Sequence, residues 1–166
     1  VAYRAPDGPS LREVLDVARK RGGLEPSEAL SLFVALTRSL ALLHERGVVH
    51  GGLCPERCYL SARGALVRLR GLRTPAPASD TRASDPSRRQ SSPDELGPEQ
   101  GAYRAPEQIL GRANGAASDV FVLGLIGYEL LAGRHPFDDG SGAEVAQRIR
   151  HAEPPPIAKL PSKVRF

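Results

Sequence analysis

The chain has 166 residues with 23 Lys and Arg against 19 Asp and Glu, a formal charge of +4, and only 5% aromatic residues. Its length is one domain's worth, enough to bury roughly two thirds of the unfolded surface, and no run approaches the ~18 uninterrupted apolar residues of a membrane span or the pattern of a signal peptide. Arginine outnumbers lysine 20 to 3 amid abundant Ala, Gly and Pro, a GC-rich, bacterial coding bias; the basic residues are scattered and stacking aromatics are few, which argues against a nucleic-acid partner.

Ser10 with Glu13 three residues on predicts a capping box, opening a short amphipathic helix from Leu11 to about Arg21 that Gly22-Gly23 ends. A longer helix follows from Pro26, a residue tolerated in a first turn, with Ala29, Phe33, Leu36, Leu40 and Leu43 on one stripe and Gly47 closing it. That stripe reads as a core face. Cys58 to Ser61 and Ala65 to Leu69 read as two short strands joined through Arg63-Gly64. Residues 73–100 hold five prolines and few apolar residues, so they are expected to form a flexible loop that cannot offset its ordering entropy. Helical signals return from Pro106 to Leu110, stopped by Gly111. Val120 to Leu131 is apolar on all sides, as a buried central helix is. Gly124 and Gly127 inside it each cost about 1 kcal/mol relative to Ala, an expense that close approach of neighbouring backbone would explain. A last amphipathic helix is expected over Gly142 to His151, ahead of Pro154-Pro155-Pro156.

Cys54 and Cys58 stand four apart, with His50 four before Cys54. A structural zinc site wants four ligands in paired short spacings, and a fourth is not evident, so two reduced thiols in a cytoplasmic protein is the expectation, with no metal.

The segment His50-Gly51-Gly52-Leu53-Cys54-Pro55-Glu56-Arg57 carries the strongest signal. It resembles the catalytic loop H-R-D-L-K-P-E-N of protein kinases. Tyr103-Arg104-Ala105-Pro106-Glu107 resembles the Y-x-A-P-E that closes their activation segment, Ser118-Asp119-Val120 through Gly124 resembles S-D-V-x-x-L-G, and Tyr128 through Phe137 resembles Y-E-L-L-x-G-x-x-P-F. With Leu40 to Val49 ahead of the loop, five blocks in order cover nearly the whole chain. The resemblance is to the C-lobe of a serine/threonine protein kinase. It implies an α+β fold, predominantly α-helical, without the N-lobe sheet and incomplete at its C-terminal end, with residues 1–166 as one fragment of a longer polypeptide.

Carried over residue by residue, the resemblance puts Gly52 where the family has its catalytic Asp, Cys54 at the Lys, Arg57 at the magnesium-binding Asn and Arg70 at the Asp of D-F-G. Two guanidinium groups then stand where two magnesium ligands belong. Tyr59 falls at the floor of the adenine pocket, where its ring would crowd a nucleotide. Gly51 replaces the Arg that grips an activation-loop phosphate, Gly71 the Phe of D-F-G, and Gln100 a Thr of the substrate-docking loop. On this basis no residue is catalytic, no cofactor is bound, ATP is not expected to bind, and the chain is expected to be no enzyme but a pseudokinase scaffold for a protein partner, docked after His135-Pro136-Phe137. His50, Glu107 and Asp119 are expected to be structural: Asp119 holds the loop backbone, His50 is a buried histidine, and Glu107 lacks the arginine that the family supplies near its C-terminus. Ser91 and Ser92 follow Arg88-Arg89 as possible phosphorylation sites. The alternative is a serine/threonine kinase with residual ATP binding or unorthodox phosphotransfer, completed by an N-lobe outside this chain, in which Glu56 or Asp80 would have to replace the lost metal ligands. The fragment is expected to be cytoplasmic, without membrane contact.

Overall fold

A computed structural model describes residues 8–61, 67–69, 71–72, 102–137, 142–151 and 154–157. The loop expected over 73–100, with Asp80, Ser91, Ser92 and Gln100, lies outside the described residues, as does Arg70. The described architecture is predominantly helical, with one two-stranded sheet.

Helix α1 (Leu11–Arg21) starts on the expected capping box: the Ser10 amide donates to Glu13 Oε2 at 2.7 Å, and the Glu13 amide donates back to Ser10 Oγ at 3.4 Å. Two orphan donors of the first turn are thereby satisfied. Helix α2 (Pro26–His44) ends three residues before Gly47, which turns the chain in a left-handed conformation. By length and composition α2 is apolar enough to cross a membrane; Ala29, Leu36 and Leu40 are buried in the core beside α4 (Ala116–Ala132), while Leu30 and Leu42 on its other side are exposed. Between them a short 3-10 turn (Pro55–Arg57) leads into β1 (Cys58–Leu60), which pairs antiparallel with β2 (Val67–Leu69), Tyr59 facing Arg68 in register. β1 is one residue shorter than the pattern predicts, and the Arg63-Gly64 connection with the expected start of the second strand at Ala65 lies outside the described residues. Pro9 and Ser10 continue this edge: the Leu60 amide donates to Pro9 O at 3.0 Å.

Helix α3 (Pro106–Ile109) is closed at its start by Gln108, whose Oε1 accepts from the Ala105 amide at 2.7 Å. Helix α4 begins four residues before the apolar run, because Gly115 starts it with an amide that donates to Ser118 Oγ. A capping hydrogen bond, invisible to hydrophobic periodicity, decides that boundary. Helix α5 (Gly142–His151) buries Val145 and Ile149 and packs near α3, closing ahead of the exposed Pro154-Pro155-Pro156.

The core runs through Leu11 and Leu15 of α1, Leu36 of α2, Val122, Ile126 and Leu130 of α4 and Ile149 of α5, all at most 1% exposed. Each such side chain contributes about 2 kcal/mol by leaving water. The C-terminus of α4 and the turn between α1 and α2 meet without side chains. Gly133 has φ 68°, and a Cβ there would lie 2.5 Å from the Gly23 amide nitrogen, while the Leu24 amide donates to Leu130 O at 2.8 Å. Only glycine satisfies both the backbone angle and the space.

The two glycines inside α4 separate. A Cβ on Gly127 would lie 2.7 Å from Cε2 of Phe33, so close packing does occupy that position, although the neighbour is an aromatic ring of α2 and not backbone. Gly124 has open space, and no packing reason for it is present among the described residues.

Asp119, 1% exposed in the first turn of α4, fixes the loop that follows α2. Its Oδ2 accepts from the His50 amide at 2.7 Å and lies 2.9 Å from His44 Nε2, and its Oδ1 accepts from the Gly51 amide at 2.9 Å.

Two outcomes follow for urea or thermal unfolding of this chain. Gly124→Ala should stabilise by about 0.5–1 kcal/mol through helix propensity, whereas Gly127→Ala should destabilise by about 1 kcal/mol or more as Phe33 is displaced; equal effects at the two positions would refute the packing account. Asp119→Ala should cost about 3 kcal/mol, because two buried amides lose their acceptor, and a loss below about 1 kcal/mol would show that the loop is held by something else.

Candidate functional site

The site is the segment from His50 to Arg57 together with what touches it. Backbone geometry comes first. Asp119 takes up the amides of His50 and Gly51, and Gln108 Nε2 and Asn114 Nδ2 both donate to Gly51 O, at 3.1 and 3.2 Å. Gly51, with φ 69°, is thus held from both its amide and its carbonyl. The 3-10 turn is closed by the Arg57 amide donating to Cys54 O at 3.0 Å. His50 is fully buried beneath this turn of chain.

Of the four positions singled out by resemblance, three are described. Gly52 is half-buried and offers its carbonyl outward. Arg57 Nη1 donates to that carbonyl at 2.8 Å and to Gly71 O at 3.4 Å, so its guanidinium spans the loop and the strand end that leads to Leu72. Cys54 is buried, and the Cys58 thiol donates to its carbonyl at 3.3 Å. Burial, reinforced by Glu56, pushes the Cys54 thiol up to about 12, and burial raises Cys58 as well. Both sulfurs are therefore protonated and poor nucleophiles near neutral pH. Arg70 lies outside the described residues, and Tyr59 sits half-buried on β1.

A magnesium ion would need oxygen donors here. At the described family position it meets the Arg57 guanidinium, which donates and carries positive charge, so these residues do not fit the ion. Glu56, a sequence candidate for the missing ligand, is engaged through one oxygen: its Oε1 accepts from Arg12 Nε at 2.7 Å. Burial alone would raise the Glu56 carboxyl, but the hydrogen bond and charge of Arg12 hold it below its ordinary value. Among the described residues no three His, Cys, Asp or Glu side chains converge as a metal cluster.

Glu107 finds a partner of its own. Ser118 Oγ donates to Glu107 Oε1 at 2.5 Å, linking α3 to the start of α4 where the sequence reading left that carboxylate waiting for an arginine.

Sequence reasoning overlooked a second polar centre beside the loop. Glu129 is fully buried in apolar α4. Arg12 Nη1 lies 3.4 Å and Arg19 Nη2 3.5 Å from its Oε1, and the Tyr103 hydroxyl donates to its Oε2. Burial and then the Glu129 charge raise the tyrosine's pKa, so the hydroxyl keeps its proton. His44 was likewise passed over. Both had a signal: a charged residue inside an all-apolar helix needs a partner, and a histidine on the core side of a helix end needs a hydrogen bond.

Comparison with known proteins follows the same line. The family model described as protein kinase domain matches residues 5–164. Among curated proteins, serine/threonine-protein kinase pkn2 of Myxococcus xanthus is 32% identical over 155 residues, covering 91% of this chain and 17% of the relative. Serine/threonine-protein kinase PkaA of Streptomyces coelicolor is 34% identical over 148 residues, 89% and 26%, and serine/threonine-protein kinase PknA of Mycobacterium tuberculosis is 31% identical over 160 residues, 96% and 34%. The chain thus spans about a third or less of the length of these relatives. Their names overturn the expectation that the chain is no enzyme, since each is called a serine/threonine-protein kinase. That expectation took four substituted side chains as decisive, whereas phosphoryl transfer draws most of its acceleration from positioning and from stabilising charge. From Ala5 to Val164 the chain belongs to the protein kinase domain family.

Proposed function

We propose that this chain forms the large lobe of a serine/threonine-protein kinase, completed by an N-lobe outside this sequence, and that it supports an unorthodox phosphotransfer to protein hydroxyl groups. The observation that carries the reading is the fixed backbone of the His50–Arg57 loop, pinned through Asp119, Gln108 and Asn114 with a guanidinium at its end. A loop of this kind holds its groups still without further reorganisation, which is the main demand of phosphoryl transfer. Arg57 then supplies positive charge to phosphate oxygens directly: a guanidinium presents a planar fork of donors that matches them, and its acceptors among the described residues are two backbone carbonyls.

The protein that receives the phosphate, or a regulatory partner, docks beyond His135-Pro136-Phe137. A cleft of about 540 Å³ opens between the turn at Pro136-Phe137 and the outer face of α5, where Glu144, Arg148 and His151 line it with Pro155. The placement of such kinases in the cytoplasm, where ATP is available, belongs to the same proposal.

The test uses the full-length protein with γ-labelled ATP, magnesium and an array of serine- and threonine-containing peptides. Label should appear on hydroxyl side chains, and Arg57→Ala should lower its rate by about tenfold or more, as expected for loss of one charge-stabilising donor, with Arg57→Lys in between. Incorporation no higher than in a boiled control, together with no shift in melting temperature on adding nucleotide, would overturn the reading.

A further inference from the structure

The contacts of Arg12 reach further than a single ion pair. It sits in the first turn of α1, in a side chain 19% exposed, and spends three different nitrogens on three different parts of the chain. Nε donates to Glu56 in the 3-10 turn at 2.7 Å, Nη2 donates to the Tyr103 hydroxyl at 3.0 Å, and Nη1 lies 3.4 Å from Glu129 Oε1 in α4. The guanidinium carbon also lies 5.5 Å from the centroid of the Tyr103 ring. These acceptors stand 44, 91 and 117 residues away in sequence. Only the rigid planar fork of arginine reaches three such acceptors at once; a lysine ammonium is a point charge on a flexible stem.

The surroundings show why the arrangement is directional. Helix α1 is anchored independently of Arg12 by Leu11, Leu15 and Ala18, each 0% exposed. Helix α4 is the centre of the core. The 3-10 turn buries Cys54, Pro55 and Cys58, and its half-buried Glu56 is tied across the fold to α1 by Arg12. Glu56 stands between Cys54 and Arg57, two of the substituted positions of the loop. The Tyr103 segment, which precedes α3, is tied to the same guanidinium.

From this geometry we propose that Arg12 is the positioning residue of the loop, a clasp that sets the height of the Cys54–Arg57 turn against α4 and couples it to the Tyr103 segment. Arg12 touches no reacting atom. Its effect passes through Glu56 to the turn that carries Arg57, and its catalytic consequence rests on the kinase reading above, whereas its effect on the turn does not.

Cys54 provides a readout of the turn that is independent of activity. Its thiol is buried and protonated, so iodoacetamide reaches it only when the turn opens. In the full-length protein at pH 8, with labelling at Cys54 and Cys58 quantified separately by mass spectrometry, Arg12→Leu should speed Cys54 alkylation about tenfold, and Arg12→Lys should restore only part of the protection. Glu56→Gln keeps shape and removes charge and serves as the second variant if Arg12→Leu fails to fold; because the Cys54 thiol also interacts with the Glu56 carboxyl, this variant is read by hydrogen exchange of the Arg57 amide, which should speed severalfold. Tyr103→Phe should leave Cys54 protected, since it loosens the other arm of the clasp. Unchanged Cys54 alkylation in a folded Arg12→Leu, or unchanged Arg57 amide exchange in Glu56→Gln, would overturn the clasp, whatever the activity. In phosphotransfer, Arg12→Leu should lower kcat about tenfold with KM within about twofold, the pattern of a lost arrangement in the transition state; a raised KM with kcat unchanged would overturn the positioning role. Faster alkylation in variants of a protein that transfers no phosphate would leave the clasp standing and remove the kinase reading alone.

Discussion

One buried carboxylate organises the region that matters. Asp119 accepts two backbone amides and faces the ring of His44, so the end of α2, the His50-Gly51 peptide and the first turn of α4 are fixed relative to one another by a single side chain. A buried charge is tolerated only when it is paired and hydrogen-bonded. Asp119 meets that condition with the loop's own backbone, so the loop has one conformation in which the aspartate is satisfied. Its position in the first turn of α4 adds the favourable end of the helix dipole.

The same physics recurs one turn of reasoning away, at Glu129. An apolar helix that runs through the core carries two acids, Asp119 near its start and Glu129 near its end, and each is the meeting point of segments distant in sequence. Asp119 gathers backbone; Glu129 gathers side chains, Arg12, Arg19 and the Tyr103 hydroxyl. Between these two points lies the turn bearing Cys54, Glu56 and Arg57. Glycine at 52, cysteine at 54 and arginine at 57 leave the main anchors in place, because these are the His50 and Gly51 amides held by Asp119 and the Glu56 carboxylate held by Arg12. This explains how a chain can retain the frame of the protein kinase domain while its loop carries glycine, cysteine and arginine.

Charge decides how the site can work. The family's use of a metal ion requires oxygen ligands, and the described part of the loop presents a guanidinium instead, with Glu56 already engaged by Arg12. At that position the chain carries a fixed positive charge that donates to the carbonyls of Gly52 and Gly71. The relatives that share this frame are called serine/threonine-protein kinases.

Much of the local structure was legible in the residues themselves. The Ser10–Glu13 box, the apolar stripe of α2, the all-round apolarity of α4 and the prolines after α5 act within a few residues of the positions they specify, and motif order alone identified the family resemblance. What the sequence could not supply was the pairing across 44 to 117 residues: that Arg12 would close on Glu56, Tyr103 and Glu129, that Ser118 would answer Glu107, and that Gly127 would face Phe33 while Gly124 faces nothing within reach. Helix periods and caps are set by neighbours along the chain, so sequence determined them. Partners of buried charges, and the room beside a glycine, are set by whatever other segment arrives there, and only the tertiary structure decided that.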